Sequence, residues 1–348
     1  MVMVFCILKQ KISEKCNTLQ KMPPSTWTNI TPNRWGFAFK LSRFNRPFVV
    51  CVIFCLFPPP ILAGQVAHIL VVTDMHEEPY NETIHGFKEQ ISKRINVKFT
   101  ELTMAKAKFP ADKKIAQIKP DVIFAVGSQA LKWASSQLPN TPTIATLVFN
   151  DSVIMQSDNV TGVRMYYSLE TQFRWLNKLF PKQKKIAVLF NPKENSVVVE
   201  KARKVGLQYG FKLVAIPVET PKELPYALAQ LVKNNKVDLQ LAIPDATVMS
   251  TTAAKEVLLS SFRNKLPLIG LNDNWVRTGA LYALSWDFAD LGRQSALIAK
   301  QILHGLPVDT LLPEYPRKVA YTINAKTAGH MNFEIPNDLL NHAKMVFK

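Results

Sequence analysis

Cysteine is scarce in this chain of 348 residues, and its placement decides what is excluded. All four cysteines, Cys6, Cys16, Cys51 and Cys55, fall within the first 64 residues. Residues 65–348 therefore have no disulfide framework, no thiolate metal site and no cysteine nucleophile. Other signatures are lacking too. There is no P-loop, no Gly-x-Gly-x-x-Gly fingerprint and no Gly-x-Ser-x-Gly elbow, so phosphate-cradling, dinucleotide-binding and α/β-hydrolase chemistry have no motif to rest on. No histidine stands beside a candidate nucleophile, and no set of residues carries metal-ligand spacing, so the sequence implies neither an enzyme nor a cofactor. There is no repeat of fixed period, and no apolar stretch long enough to cross a bilayer twice.

What is present begins with a leader. Residues 1–47 are polar and basic, and residues 48–57 read Phe-Val-Val-Cys-Val-Ile-Phe-Cys-Leu-Phe before Pro58-Pro59-Pro60 and Ile61-Leu62-Ala63-Gly64. Lys40, Arg43 and Arg46 precede the apolar run. Basic, then apolar, then small is the order of a cleavable secretory signal peptide. The run is about half the roughly 20 residues a spanning helix needs. Cleavage falls near Ala63 or Gly64, and the long segment before Lys40 makes Met22 a candidate initiator. A buried strand or an uncleaved anchor is the alternative. The expected compartment is the periplasm.

The formal net charge is +17, from 43 Lys and Arg against 26 Asp and Glu. Past the leader, 35 basic face 25 acidic residues. The basic residues are scattered apart from Lys182-Gln183-Lys184-Lys185, and no nucleic-acid motif accompanies them, so a basic, soluble, monomeric protein without a nucleic-acid partner is expected.

The body alternates short apolar runs with helical periods. Runs at 68–74, 97–102, 121–126 and 142–149 read as strands, with helices over 81–94, 113–118 and 130–137 and a crossing segment at 159–163. The pattern then restarts: helices over 169–179, 197–209, 221–234, 250–264, 291–304 and 337–347, and strands at 185–190, 211–218, 239–243, 266–271, 280–286 and 318–324. Gly210 suits a helix end and Thr220 a helix start. Continuous apolar strands joined by helices predict an α/β protein of two Rossmann-like lobes with parallel sheets joined by a hinge. In such sheets ligands sit at the carboxyl ends of the strands.

The stretch 238–291 shows that arrangement most plainly, with two runs ending in Pro244-Asp245-Ala246-Thr247 and Asn272-Asp273-Asn274. Asp74, Asp151, Asp245 and Asp273 all fall at predicted strand ends. There they either hold a ligand ammonium group or cap a helix. Gly127-Ser128-Gln129 opens a helix whose free N–H groups suit a carboxylate, or a simple cap. Trp133, Tyr166, Tyr167, Trp275 and Trp286 near strand ends form either an aromatic wall or core. His76, Glu77, Glu78 and His85 read as a solvated loop.

Five segments carry a resemblance: Asn159-Val160-Thr161-Gly162-Val163; 185–192; Ile243-Pro244-Asp245-Ala246-Thr247-Val248; Gly279-Ala280-Leu281 leading into Leu291-Gly292-Arg293-Gln294; and Asn324-Ala325-Lys326-Thr327-Ala328 with Ile335-Pro336. In this order the chain, over nearly all of 66–348, resembles the ABC-transporter substrate-binding proteins that include tryptophan- and tyrosine-binding members. The resemblance implies a type I periplasmic binding fold that recrosses near Gly279 and again near 305–316. The lobes are then 65–164 plus about 280–306, and 165–279 plus about 307–348. It implies ligand contacts at Gly127, Ser128, Gln129 and Ala130, at Phe149, Asn150 and Asp151, at Asp245, Ala246, Thr247 and Val248, and at Asn272 and Asp273. With Asp74 these make the expected site. Ser128-Gln129-Ala130 stands where such proteins often have Thr-Pro-Ala, and Thr73-Asp74-Met75-His76-Glu77-Glu78 is more acidic than usual.

The leading expectation is an exported, non-enzymatic protein that captures a small organic solute, an amino acid or related compound among the candidates, by hinge closure and hands it to an ABC permease in the inner membrane. The rival is a periplasmic sensing module that signals to a membrane sensor protein.

Overall fold

The computed structural model describes residues 66–104, 119–150, 152–155, 157–234 and 236–348. The expected leader at 1–64, the helix at 113–118 and Asp151 lie outside the described residues.

The first sheet holds β1 (Ala67–Thr73), β2 (Val97–Thr103), β3 (Val122–Val126), β4 (Thr143–Thr146) and β5 (Val160–Gly162), in the order β2-β1-β3-β4-β5. All its pairings are parallel. Alternating side chains serve opposite faces, as strand geometry requires. Ile69 and Val71 pack toward α1 (Tyr80–Ser92). Leu70 and Val72 pack toward α2 (Ser128–Gln137) and α3 (Ser152–Met155).

The larger sheet holds β6 (Lys185–Phe190), β7 (Lys212–Pro217), β8 (Leu239–Leu241), β9 (Leu268–Ile269), β10 (Tyr282–Trp286), β11 (Val319–Asn324) and β12 (Met345–Phe347), in the order β12-β11-β10-β9-β8-β6-β7. Only the β10–β11 pairing is antiparallel. Ile186 and Val188 face α4 (Leu169–Leu179) and α5 (Pro192–Gln208). Ala187 and Leu189 face α6 (Leu224–Asn234) and α7 (Thr251–Arg263). Short helices α8 (Asp273–Arg277), α10 (Ala325–His330) and α11 (Asn337–Asn341) complete this lobe.

The same acid recurs at the amino-terminal edge of each sheet. Asp121 accepts from the His68 N–H at 2.7 Å. Asp238 accepts from the Lys184 and Lys185 N–H groups at 2.7 and 2.8 Å. Each fixes the start of one strand against its neighbour.

Three sequence expectations change. The strand at 280–286 was expected with the first lobe; β10 instead pairs with β9 and β11 in the larger sheet, and the chain leaves that sheet only at Asp287. The helix at 337–347 stops at Asn341. The Lys344 N–H then bonds the Tyr321 carbonyl at 2.9 Å, and Met345–Phe347 adds a strand beside β11. The strand at 142–149 pairs only through Thr146, because Leu147 takes a φ of 56° that breaks the ladder. Among the described residues no helix is long and apolar enough to cross a membrane.

The helix after β10, α9 (Phe288–Leu303), returns to the first sheet and packs on α1. Two glycines let the backbones meet. A Cβ on Gly292 would stand 1.9 Å from the Thr83 carbonyl oxygen, and one on Gly86 2.1 Å from that of Ala289. In an exposed helix Gly→Ala stabilises by about 1 kcal/mol. Here the steric term wins, and Gly292→Ala is expected to destabilise by about 2 kcal/mol in urea unfolding.

Candidate ligand cleft

Three segments connect the lobes, and all meet at carboxyl ends of parallel strands. The first, 163–168, leaves β5. The second is the Trp286–Asp287 step from β10 into α9. The third, 311–318, returns to β11 beside the end of β10. Glu314 joins the first crossover through hydrogen bonds with Gly162 and Arg164, both 2.9 Å. Because the connections attach at the carboxyl ends in both sheets, those ends look toward the junction, where doubly wound folds bind ligands.

Tyr167 ties the crossovers together. Its ring is buried, and its hydroxyl donates to the Ser285 carbonyl at 2.6 Å and lies 3.0 Å from the Lys318 carbonyl. One proton is shared between two acceptors, one at the end of β10 just before the second crossover and one on the third. Burial pushes the hydroxyl pKa far above its ordinary value, so it remains a donor. Beside it, Arg317 makes a two-pronged contact with Asp290 at 2.9 and 2.8 Å. Lys318 bonds Asp287, which caps α9 by accepting from the Asp290 N–H. Gln294 of α9 accepts from the Arg317 N–H at 3.2 Å and donates to the Tyr315 carbonyl at 3.0 Å. The first turns of α9 thus hold the third crossover.

At the first lobe's strand ends, the α2 amides expected to be free for a ligand carboxylate are engaged by Asp74. It accepts from Gln129 N–H at 3.2 Å and Ala130 N–H at 2.6 Å. Gly127 allows this. Its φ is +110°, and a Cβ there would sit 2.3 Å from the Asp74 carboxyl carbon. Asp74 therefore caps not the helix that follows it but one more than fifty residues on. The side chains of Ser128 and Gln129 are exposed. Phe149 is 74% exposed, and Asn150 accepts from the Ser152 N–H and hydroxyl at 3.2 and 2.7 Å, starting α3.

In the second lobe Asp245 is buried and saturated. It accepts from Asn191 N–H (2.6 Å), Asn195 Nδ2 (2.9 Å), Thr247 N–H (3.0 Å) and Val248 N–H (2.8 Å). A carboxylate has about four lone-pair sites, and here all are used. The ammonium-holding role considered for Asp245 is thus closed by its own chain. It instead locks the turn 244–248 onto the start of α5, where Glu194 also takes the Ala246 N–H at 2.9 Å. Ala246 is exposed, Thr247 half-buried and Val248 buried. Asn272 caps α8. Asp273 accepts from the Ser285 and Thr322 hydroxyls at 2.8 and 2.7 Å and pairs with Lys344 at 3.5 Å.

Of the five aromatics that read as either wall or core, Trp133 and Tyr167 are core, while Trp275 and Trp286 are half-buried against the core clusters. Tyr166 is exposed. It meets Tyr315 edge-on at 5.7 Å, and Arg164 donates to both hydroxyls. Asn191, Glu194, Asn195, Arg164 and Tyr315 were missed as site-shaping residues. The Asn-Pro start of α5 was the one signal for Asn191.

This geometry accords with comparisons to known proteins. The model of a family described as "ABC transporter substrate binding protein" matches residues 70–347. The chain belongs to that family. The chain is 26% identical over 219 residues to a tyrosine-binding protein of Clostridioides difficile (strain R20291), a match covering 59% of this chain and 61% of that one. It thus spans about three fifths of that relative's length. Among solved structures it resembles the ligand-free, open form of a substrate-binding protein with adhesive properties from Clostridium difficile (TM-score 0.63, 22% identity, 81% of this chain and 100% of that one). A domain in complex with L-Trp from Streptococcus pneumoniae has a TM-score of 0.50 at 19% identity, with the same coverage. These structures share the type I periplasmic binding fold.

The Arg317 hydrogen bonds, opposed by partial burial and reinforced by the charges of Arg317 and Arg293, hold the Asp290 carboxyl below the usual carboxylate range. Burial alone would raise Asp287, but hydrogen bonds from Lys318 and the Asp290 N–H, with the Lys318 and Arg293 charges, bring it below that range too. A lowered folded pKa adds stability above the unfolded value of about 4, and that stability is lost as pH falls through the folded value. Asp290→Asn is therefore expected to be less stable than the parent at pH 7. The gap should close as denaturant unfolding is followed from about pH 5 toward pH 2.

Proposed function

We propose that the protein is the exported solute-binding component of an ABC uptake system. It takes up a small organic solute, an amino acid or a related compound, between its lobes and presents it to a membrane permease. The observation that carries this reading is the hinge: three crossovers pinned at Tyr167, with polar and aromatic groups of both lobes at the strand ends around it. Family membership supports capture rather than chemistry. The amino-acid class is supported by the name of the curated relative and by the L-Trp complex of the solved neighbour.

In this reading the solute meets Ser128, Gln129, Phe149 and Asn150 from the first lobe, and Thr247 and Asn272 from the second. Asp151 adds to the first set. Asp74, Gly127, Asp245, Ala246 and Val248 shape the turns that present these groups, and Asp273 acts through the Ser285–Thr322–Lys344 cluster. The exposed Phe149 ring offers a face for an apolar or aromatic side chain.

Thermal-shift screening tests the reading. A solute at a hundred times its Kd stabilises by about 2.7 kcal/mol, a rise of about 5 °C for a chain of this size. L-tyrosine, L-tryptophan and a panel of other amino acids and small solutes form the screen. Gln129→Ala with Phe149→Ala should weaken the shift without moving the melting temperature of the free protein. A panel in which no solute raises that temperature contradicts the proposal.

A further inference from the structure

The charge of the body is divided unequally between the two sheets. Residues 165–286 and 317–348, which build the larger-sheet lobe, hold 22 Lys and Arg against 11 Asp and Glu. Residues 66–164 and 287–316 hold 13 against 14. The excess is concentrated at the edge where β6 and β7 begin and α4 and α5 end. Lys178, Lys182, Lys184, Lys185, Lys204 and Lys212 are all exposed there. Lys185 and Lys212 are directly paired in the parallel register, a like-charge juxtaposition that destabilises a sheet. Among the described residues none of the six forms an ion pair. Asp238, the acid in their midst, is engaged by the backbone N–H groups of Lys184 and Lys185. Two helix carboxyl ends attract cations, but this is more charge than two such ends call for.

We propose that this edge docks on an anionic phospholipid surface. All six cations are lysines, mobile point charges that suit laterally mobile headgroup phosphates rather than fixed bidentate partners. Leu207, 62% exposed, projects from the last turn of α5 among them and supplies an apolar side chain for the headgroup boundary. Two aromatic rings nearby are covered: Lys178 lies over Trp175 and Lys184 over Phe211, at 4.9 and 5.1 Å. Neither of these two rings is left as a stacking platform for unpaired bases. The patch lies at the opposite ends of the strands from the cleft, so a membrane bound there leaves the solute site open.

The test is co-sedimentation of the full chain with mixed phosphatidylglycerol–phosphatidylcholine vesicles and with pure phosphatidylcholine vesicles. Residues 1–64, with a basic segment and an apolar run, are common to every variant, so the differences between variants report the patch. The combined variant Lys182→Gln, Lys184→Gln, Lys185→Gln and Lys212→Gln is expected to bind the mixed vesicles about tenfold more weakly. Removing four exposed cations elsewhere on the same lobe, with Lys255→Gln, Arg263→Gln, Lys265→Gln and Lys326→Gln, should leave most of that binding. Leu207→Ser, which keeps every charge, should weaken it and decides the matter if the combined variant does not fold. The proposal is overturned by equal losses in the two lysine sets, by no preference for anionic vesicles, or by patch-dependent binding to duplex DNA that exceeds binding to vesicles.

Discussion

One shared proton, on the hydroxyl of Tyr167, lies where the three crossovers meet. The ring sits on the first crossover, and its two acceptors are the carbonyls of Ser285, at the end of β10 just before the second crossover, and of Lys318, on the third. Around it the Asp290–Arg317 and Asp287–Lys318 contacts bind the start of α9 to the strand that follows it. Two separate cores stand on either side of this junction, one a parallel and one a mostly parallel sheet between helices. Their relative position depends on a small set of directional interactions rather than on broad apolar contact. Such a joint allows rigid-body motion of the lobes without repacking either core.

The strand ends follow a second rule. The carboxylates that look from sequence like ligand contacts are used first to build the protein. Asp74 closes the amino terminus of α2, and Asp245 consumes all its acceptor capacity on the start of α5 and its own turn. Buried carboxylates must be compensated, and backbone N–H groups at helix starts do so while fixing the loops. Neighbouring neutral side chains stand beside these turns, Ser128 and Gln129 exposed and Thr247 half-buried. The proposed site therefore offers a solute hydrogen bonds and the exposed ring of Phe149.

Local signals made much of this fold legible in the sequence. α4 is found where its pattern placed it, because Leu169, Phe173 and Leu176 recur at helical spacing and Ser168 caps the first turn. The strand at Val122–Val126 is apolar throughout because it is buried on both faces. What escaped the sequence is what depends on distant partners. Asp74 and Ala130 are 56 positions apart and Asp245 and Asn191 are 54, so no local pattern separates a ligand-binding aspartate from a capping one. Tyr167 reads as one of several aromatics until its acceptors, more than a hundred residues away, are placed beside it. The final strand was hidden for a similar reason: Met345–Phe347 is too short to declare itself without β11 to pair with.

The central claim is that a solute bridges the two lobes and draws them together about the Tyr167 joint. Small-angle X-ray scattering of the protein, with and without a saturating solute identified by thermal shift, tests it most directly. The account predicts a smaller radius of gyration and a shorter maximum dimension in the bound state. A scattering curve unchanged at full occupancy would contradict it.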